Sequence, residues 1–275
     1  MRNGKLANGR LKPRQMLGKY RIKKLIGAGG FAYVYAANDT IEGIDVALKI
    51  PLGQYIDQEM LDLFKQEVRL VAKLDHPNIL PIKNADFIED RFVVVTRLGD
   101  ETLESRLGRR ISVEKCLSLF EQMIGAVAAA HECNVLHCDI KPDNFILFGG
   151  DRVMLTDFGI AKVSRLTFQG SGTGTVGHMA PEQAMGRPNK RSDVFALGLI
   201  MYRMLSGAWP EYPFEWPLPG ASNLRKKFVH PDLIRFIRKS LSARPSARFV
   251  DAVQMEEKYE EVYEVALRNL KRKRR

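Results

Sequence analysis

The sequence predicts an α+β protein of two lobes, in which a strand-rich lobe with one helix precedes a larger, mainly helical lobe. The N-terminal third of the chain contains short apolar runs of strand length, separated by turn residues. After Gly99 the apolar residues recur at helical spacing over longer runs. We place a hinge between the lobes at residues 97–100, where this change occurs.

The first lobe is expected to combine strands with a single helix. Strands are predicted, in chain order, at residues 21–26, 31–37, 45–50, 81–88 and 91–97. The helix follows the third strand, with Asp57 as a suitable N-cap, and it ends before residues 76–78. Its apolar face consists of Phe64, Val68, Val71 and Leu74.

Long helices dominate the predicted second lobe. They span residues 112–131, 193–205 and 251–270. The last of these helices has one apolar face, so it is expected to pack on the helical lobe or to continue as a docking or dimerising segment. That face consists of Met255, Tyr259, Val262 and Ala266.

The two ends of the chain carry its net charge of +11. Residues 1–18 hold five lysines and arginines and no acid, and residues 268–275 hold six. The body between them is close to neutral, so the ends are expected either to be solvated or to contact an anionic partner such as nucleic acid, a membrane surface or an acidic protein.

The domain division follows from these patterns. Residues 1–18 contain three glycines and a proline without sustained periodicity, so we expect a flexible basic segment. The first lobe then covers 19–98 and the second covers 99–254. A C-terminal helix with a basic tail occupies 255–275.

Composition favours a cytoplasmic protein. The longest apolar stretch, residues 194–205, is interrupted by Arg203 and is too short to span a bilayer. The N-terminus is basic but has no apolar core of the kind that secretory signals require. The cysteines, Cys116, Cys133 and Cys138, form no CxxC pair, which suits a reducing compartment.

A glycine cluster lies between the first two predicted strands. It consists of Gly27, Ala28, Gly29, Gly30 and Phe31. Glycine lets backbone N–H groups approach phosphate oxygens closely, although such a cluster also occurs in ordinary hairpins. A dinucleotide-binding loop is disfavoured, because that motif opens a helix and the residues that follow here are strand-like.

Lys49 lies in an apolar strand, and Glu67 lies among the apolar positions of the predicted helix. A buried lysine requires an anion, which phosphate groups and a helix carboxylate would supply. For either residue considered alone, a solvated surface position is the alternative.

Oxygen ligands are grouped in the second lobe. Asp139 and Asn144 lie in the segment 137–144, and Asp157 begins an Asp-Phe-Gly motif. Phosphoryl transfer requires metal ligands from at least two places and a carboxylate near the attacking hydroxyl. These three residues supply that set, and an Ala-Pro-Glu segment at 180–182 follows a loop rich in glycine, serine and threonine.

These motifs, in this order and spacing, resemble the eukaryotic-like (Hanks-type) serine/threonine protein kinases, particularly the compact bacterial ones. The resemblance covers residues 20–248. It implies a bilobal fold with a small antiparallel sheet, and transfer of the ATP γ-phosphoryl group to serine or threonine of protein substrates, including the chain itself, in a bacterial-type signalling pathway. It also implies Mg²⁺ as cofactor, with Mn²⁺ as an alternative. Lys141 and Pro142 favour serine and threonine over tyrosine as acceptors.

The resemblance assigns the chemistry to particular residues. Asp139 would be the catalytic base, Lys141 would contact the γ-phosphate, and Thr175 would bond to both. The metal ligands would be Asn144 and Asp157.

It also assigns the nucleotide contacts. Lys49 would bind the α- and β-phosphates and pair with Glu67. The phosphate-covering loop would be Gly27, Ala28, Gly29, Gly30 and Phe31. The adenine would contact Val34, Ala47 and Ile146, with Val95 as gatekeeper and Thr96 and Leu98 in the hinge.

Three further positions would support the helical lobe. Glu182 would pair with Arg248, and Asp193 would anchor the catalytic-loop backbone. Cys138 occupies the position of an arginine in most regulated kinases, which predicts that activity depends little on phosphorylation of the loop at residues 160–179.

Three other interpretations remain open. A pseudokinase would lack a phosphate lysine, a base or a metal ligand, whereas all are present. A small-molecule kinase would usually lack the Ala-Pro-Glu segment and the loop before it. A nucleic-acid-binding protein is suggested only by the basic ends, and binding that depends on salt and on residues 268–275 would identify it.

Overall fold

The computed structural model describes residues 9–29, 32–52, 58–158, 179–210 and 214–273. The chain divides into two units. One comprises Met1–Asp75 and Leu80–Gly99, and the other comprises His76–Ile79 and Asp100–Arg275. Within the described residues no helix combines the length and the hydropathy that a membrane span requires.

An antiparallel sheet forms most of the first unit. Its strands are β1 (Met16–Leu17), β2 (Tyr20–Ala28), β3 (Ala32–Asp39), β4 (Ile44–Pro51), β5 (Ile82–Ile88) and β6 (Arg91–Arg97). In the described residues they lie in the order β1-β2-β3-β4-β6-β5. Helix α1 (Gln58–Val71) lies between β4 and β5 in the chain. The predicted strands and the helix are confirmed, and the predicted N-cap, Asp57, lies outside the described residues.

The core of this unit lies on one face of the sheet. It contains alternate residues of β4, namely Val46, Leu48 and Ile50, because successive strand residues point to opposite faces. Two residues that precede β2, Leu11 and Leu17, belong to the same core.

The segment at 1–18 was expected to be flexible, and its described part, residues 9–18, is packed instead. The Leu11 side chain is 6% exposed and its N–H donates to the Tyr35 hydroxyl at 3.1 Å. Leu17 is fully buried in β1, which pairs with β2. A two-residue strand is too short to show a period, so the sequence pattern did not reveal it.

Helices make up most of the second unit. They are α2 (Leu103–Leu107), α3 (Val113–Glu132), α4 (Pro181–Ala184), α5 (Lys190–Ser206), α6 (Ala221–Lys226), α7 (Pro231–Ser240) and α8 (Ala252–Lys273). A short sheet contains β7 (Glu101–Thr102), β8 (Phe145–Phe148) and β9 (Arg152–Leu155). The α+β prediction is therefore confirmed.

Capping residues set where the two most buried helices begin. The Ser112 hydroxyl accepts the Lys115 N–H at the start of α3. Helix α5 begins three residues earlier than predicted, because Asn189 forms a reciprocal cap with Ser192. Such a cap satisfies N–H groups that the first helical turn leaves without partners.

Helix α8 packs on α3. The predicted face of α8 is buried, and the Tyr259 hydroxyl donates to the Leu117 carbonyl at 2.9 Å. The rings of Phe120 and Tyr259 meet edge to face, with their centroids 5.2 Å apart. Of the two predicted alternatives for this helix, packing on the helical lobe is confirmed.

Candidate active site

An ion pair joins β4 to α1 within the first unit. The Lys49 ammonium donates to a Glu67 oxygen at 3.0 Å, and the two side chains are 22% and 13% exposed. The ammonium also lies 5.8 Å from the Phe64 ring centroid. The predicted pairing is confirmed, and it holds a lysine amine at the surface of the sheet with its charge largely screened from water.

Register places the proposed adenine contacts on the face of the sheet that carries Lys49. Val34 lies directly opposite Lys49, and Ala47 lies directly opposite Thr96. Because residues two apart on a strand share a face, Val34, Ala47, Lys49 and Thr96 lie together. Val95 does not join them, since it pairs with Leu48 and both belong to the core on the other face.

The described part of the glycine cluster, residues 27–29, lies at the end of β2 and just beyond it. Gly27 and Ala28 pair with Val34 and Tyr33, and the Gly29 N–H donates to the Ala32 carbonyl at 3.0 Å. Gly30 and Phe31 lie outside the described residues. Leu98 lies just beyond the end of β6 and is half-buried.

The Asp139 carboxylate lies in a short loop between α3 and β8. The Asn144 amide nitrogen donates to its Oδ2 at 2.8 Å and to the Asp139 carbonyl at 2.7 Å. The Lys141 ammonium is 3.4 Å from the same carboxylate oxygen. Three of the predicted residues are thus brought together, with Asp139 18% exposed and Lys141 22% exposed.

The His137 ring supports this loop from beneath. Its Nδ1 accepts the Asp139 N–H at 3.2 Å, and its Nε2 is 3.0 Å from the Thr156 carbonyl. Burial lowers the pKa of the imidazole below its ordinary value, although Asp193 and Asp139 act in the opposite direction. A neutral ring protonated on Nε2 satisfies both contacts, because it accepts at one nitrogen and donates at the other.

Asp193 anchors the loop backbone. One carboxylate oxygen accepts the His137 N–H and the other accepts the Cys138 N–H, each at 2.9 Å. Cys138 has φ of 61°, a left-handed conformation that costs a non-glycine residue about 1–3 kcal/mol unless its surroundings hold it. The two backbone N–H bonds to the Asp193 carboxylate hold it, and the predicted anchoring contact is confirmed.

Cys138 carries no positive charge, and its surroundings favour the neutral thiol. Burial, with Asp193 and Asp139 nearby, raises the pKa of its thiol well above the ordinary value. The loop at 160–179, whose phosphorylation is predicted to matter little, lies outside the described residues up to residue 178, and so does Thr175. The dependence on loop phosphorylation stays a prediction.

The donor set near Asn144 suits a hard cation. The Thr156 N–H donates to the Asn144 carbonyl at 2.9 Å. Because Thr156 directly precedes Asp157, this bond brings the backbones of the two metal-ligand candidates, Asn144 and Asp157, close together. Asp157 has φ of 60°. Mg²⁺ in phosphoryl-transfer sites takes one or two protein carboxylates or amides and fills its remaining positions with phosphate oxygens and water. An amide oxygen and a carboxylate fit that requirement.

The proposed adenine contact of the second unit, Ile146, lies in β8, two residues after Asn144, and is half-buried.

A buried ion pair joins α4 to the loop before α8. Both terminal nitrogens of Arg248 donate to the Glu182 carboxylate, at 2.7 and 3.1 Å, and Ser192 donates to it as well. Burial raises the pKa of Glu182, but the bonds from Arg248 and Ser192 outweigh it and the net shift is downward. The predicted pair is confirmed.

Two supporting residues were not identified from the sequence. His131 is fully buried in α3, where its Nε2 is 3.0 Å from Asp193 and its Nδ1 accepts the Ala252 N–H at 3.0 Å. Gln183 donates to the Cys138 carbonyl at 2.5 Å. His131 could have been identified from the sequence, because it lies among the apolar positions of α3 and a buried polar ring needs hydrogen-bond partners.

Proteins of known family have sequences similar to this chain. Residues 20–259 match the protein kinase domain family. The serine/threonine-protein kinase PrkC of Bacillus subtilis is 34% identical over 205 residues, which are 72% of this chain and 32% of PrkC. PknD of Mycobacterium tuberculosis, also a serine/threonine-protein kinase, is 32% identical over 254 residues, 86% of this chain and 38% of PknD. The chain thus spans about a third of the length of these relatives.

Solved structures agree on the fold. The PknI kinase domain of Mycobacterium tuberculosis superimposes with a TM-score of 0.70 at 21% identity, covering 92% of this chain and all of that one. The chain called PpkA-294 apo form gives a TM-score of 0.77 at 22% identity, with coverage of 91% and 99%. Both matches show the bilobal kinase fold. The chain belongs to the protein kinase domain family, among the bacterial Hanks-type serine/threonine kinases.

Proposed function

We propose that this chain transfers the γ-phosphoryl group of ATP to serine and threonine hydroxyls of protein substrates, with Asp139 as the catalytic base. The arrangement of Asp139, Asn144 and Lys141 carries this proposal. The carboxylate is partly exposed, fixed by an amide donor and accompanied by an ammonium group. Such a group can orient a hydroxyl and accept its proton, while the ammonium stabilises negative charge that develops on the transferred phosphoryl group.

The nucleotide roles follow from the first unit. Lys49, whose ammonium is positioned by Glu67, would bind the α- and β-phosphates. The loop that contains Gly27, Ala28 and Gly29, with Gly30 and Phe31 beyond the described range, would cover the phosphates. The adenine would contact the sheet face that carries Val34, Ala47 and Thr96, together with Ile146 and Leu98. Val95 is left out, because it lies in the core.

The metal role falls to Asn144 and Asp157. Mg²⁺ bound there would neutralise charge on the phosphate oxygens, and Mn²⁺ is an alternative with similar ligand preferences. The contribution of the chain is to hold the Asn144 amide in place through its bonds to Asp139, and to fix the backbone next to Asp157 through the Thr156 N–H bond to the Asn144 carbonyl.

The finer parts of the function are proposals of the same kind. We include phosphorylation of the chain itself and a place in bacterial signalling, because the relatives are named serine/threonine-protein kinases. A cytoplasmic location suits the ATP requirement and the reduced cysteines. Contacts between the basic ends and an anionic partner follow from their charge.

Replacement of Asp139 by asparagine tests the proposal. General-base assistance contributes about 10²–10⁴-fold to the rate, so Asp139→Asn should lower kcat by that factor and leave ATP affinity nearly unchanged. Asp143→Asn is the matched control, because Asp143 lies in the same loop with an exposed side chain. Transfer of radiolabelled phosphate to a generic serine/threonine substrate gives kcat, and calorimetry gives ATP affinity. Full activity of Asp139→Asn would contradict the proposal.

A further inference from the structure

A groove opens in the second unit between the segment after α5 and the C-terminal end of α7. Its volume is about 530 Å³. The groove is lined by Phe214, Trp216, Arg238, Lys239, Leu241, Ser242, Ala243 and Ala247. None of these residues takes part in the chemistry proposed above, so the groove is a separate surface.

Aromatic rings form one wall and are fixed by α5. The Phe214 ring stacks on Phe195 with centroids 5.6 Å apart, and the Trp216 ring meets Tyr202 edge to face at 6.0 Å. Phe214 and Trp216 remain half-buried. A wall of this kind offers apolar area at little further loss of side-chain entropy, because the rings are already held.

Two exposed cations, Arg238 and Lys239, also line the groove. The Arg238 guanidinium lies 4.9 Å from the Trp216 ring centroid, and the Lys239 ammonium lies 4.2 Å from that of Phe249. Among the described residues neither cation has a carboxylate within 4.0 Å, unlike Arg235 one turn earlier, which pairs with Asp232. A simpler explanation is that the two positive charges stabilise the C-terminal end of α7 by interacting with its helix dipole. That explanation accounts for the charges but leaves the aromatic wall beside them unexplained.

The combination selects the chemistry of an occupant. A groove of this size accepts one or two side chains of an occupant, and its lining favours an apolar group against the rings and a negative charge beside the two cations. Nucleic acid is disfavoured, because its recognition needs a larger and more strongly basic surface than two cations provide. An acidic peptide segment with one large apolar side chain fits this combination of aromatic rings and cations.

We propose that this groove binds acidic or phosphorylated segments of protein substrates, each with an apolar side chain flanked by the negative charges. The groove thereby acts as a docking site apart from the phosphorylated hydroxyl. The expected consequence is a lower KM for substrates that carry such a segment, and this consequence rests on the proposed kinase function. Binding itself does not depend on catalysis.

The groove also adjoins the loop that holds Arg248. Ser242 and Ala243 line the groove, and their carbonyls accept bonds from the Arg248 guanidinium at 2.8 and 3.4 Å. Substitutions on that loop would therefore disturb the Glu182 pair. The tests therefore change Arg238 and Lys239. Their exposed side chains lie on α7, and among the described residues they form no hydrogen bond or ion pair with Glu182.

Direct binding is the first test. Fluorescence anisotropy would follow three labelled peptide pools, each with a central Phe, Leu or Trp. In one pool the flanking residues are Asp and Glu, in another phosphoserine and Asp, and in the third Lys. The wild-type chain should bind the first two pools, and the double variant Arg238→Glu with Lys239→Glu should bind them at least about tenfold more weakly.

Two further variants make the result decisive. Arg238→Gln with Lys239→Gln removes the charges without placing acids at a helix C-terminus, so it separates lost binding from lost folding. Lys271→Glu with Arg272→Glu makes the same charge change at the far end of α8 and should leave binding intact. Equal binding of the lysine pool, equal binding by wild type and the α7 variants, or no binding of the acidic pools would overturn the proposal. Binding of a single-stranded oligonucleotide or of phosphatidylserine vesicles in place of the acidic pools, lost in the same variants, would identify a different occupant and also overturn it.

Kinetics supply the second test. One acceptor peptide is compared with and without an acidic docking segment attached through a flexible Gly-Ser linker. The segment should lower KM for the wild type about tenfold and leave kcat unchanged, and this advantage should vanish in the α7 variants. Absence of transfer to every peptide would reject the proposed kinase function, and the anisotropy result would still decide the docking proposal. A segment that changes KM equally in wild type and variants would reject the groove as its site.

Discussion

At the residue scale, hydrogen bonds determine the conformation of the loop at residues 137–144, which holds Asp139. Asp193 uses both carboxylate oxygens on successive backbone N–H groups, and it is itself held by the buried ring of His131. His137 adds a bond to the Asp139 N–H from below. Each of these side chains is buried, so each bond forms where water competes little and where a missing partner would be costly.

His137 gives the loop a dependence on pH. Its folded-state pKa lies below the ordinary value of 6.5, so the unfolded chain binds a proton more readily than the folded chain. Its contribution to stability is therefore complete above about pH 6.5 and is lost progressively as the pH falls below that value, at up to about 1.4 kcal/mol per pH unit.

Chemical denaturation at about pH 7.5 and about pH 5.5 measures this effect. His137→Gln cannot gain a proton, so the wild type should lose more free energy of unfolding between the two pH values than the variant does. The variant is expected to be less stable at the higher pH, because it does not reproduce both ring contacts. Identical losses in the two proteins would show that His137 does not carry the dependence.

The residue-scale predictions succeeded where the family resemblance names both partners. Lys49 with Glu67, Glu182 with Arg248, and Asp193 with the loop backbone were all expected and all form. The sequence did not reveal the ring contacts of His131, because they depend on how α3, α5 and the start of α8 converge. It also did not show that Val95 lies on the core face, since a run of three valines has no alternation.

At the scale of elements, the Glu182–Arg248 pair joins α4 to the loop that precedes α8. Arg248 is fully buried, and besides Glu182 it donates to the Arg191 and Ser242 carbonyls. Its guanidinium also lies 4.5 Å from the Phe195 ring centroid on α5. One side chain thus fixes the relative positions of three segments.

Loss of Arg248 should be strongly destabilising. Arg248→Ala leaves the Glu182 carboxylate buried without its main partner, so we expect the free energy of unfolding to fall by about 3–5 kcal/mol. Arg235→Ala is the control, because the Arg235–Asp232 pair is exposed and such pairs contribute about 0–1 kcal/mol. Urea unfolding followed by circular dichroism provides both values, and equal losses would contradict the prediction.

Element boundaries show what periodicity can and cannot supply. The apolar face of α8 was predicted residue by residue, because four apolar residues at helical spacing indicate which side of the helix is buried. The start of α5 was placed late, because its first turn contains Lys190 and Arg191 and is identified only by the Asn189 cap. Caps depend on a single residue, so a period-based prediction misses them.

At the scale of the whole molecule, the core of the first unit includes residues that precede β2. Leu11 and Leu17 fill the same core as Tyr35, Leu48 and Val95. The sheet therefore has one of its faces covered in part by the N-terminal segment, which the composition of that segment did not suggest.

Adjacent residues of β1 allow a matched test of this packing. Leu17 is fully buried, whereas Met16 is 42% exposed. Leu17→Ala should reduce the free energy of unfolding by about 2–5 kcal/mol, because it leaves a cavity in the core. Met16→Ala should change it by no more than about 0.5 kcal/mol. Thermal and urea unfolding followed by circular dichroism would measure both, and a small effect of Leu17→Ala would show that the segment is not part of the core.

The aromatic wall of the groove also has a spectroscopic consequence. The chain contains two tryptophans, Trp209 and Trp216, and both belong to the second unit. Intrinsic indole emission therefore reports on that unit alone and is silent about the sheet around Lys49. Trp216 lies under the Arg238 guanidinium, so we expect its emission to change when an occupant of the groove displaces that cation. The protein thus carries an unlabelled optical probe at the groove, and Trp209→Phe would isolate its signal.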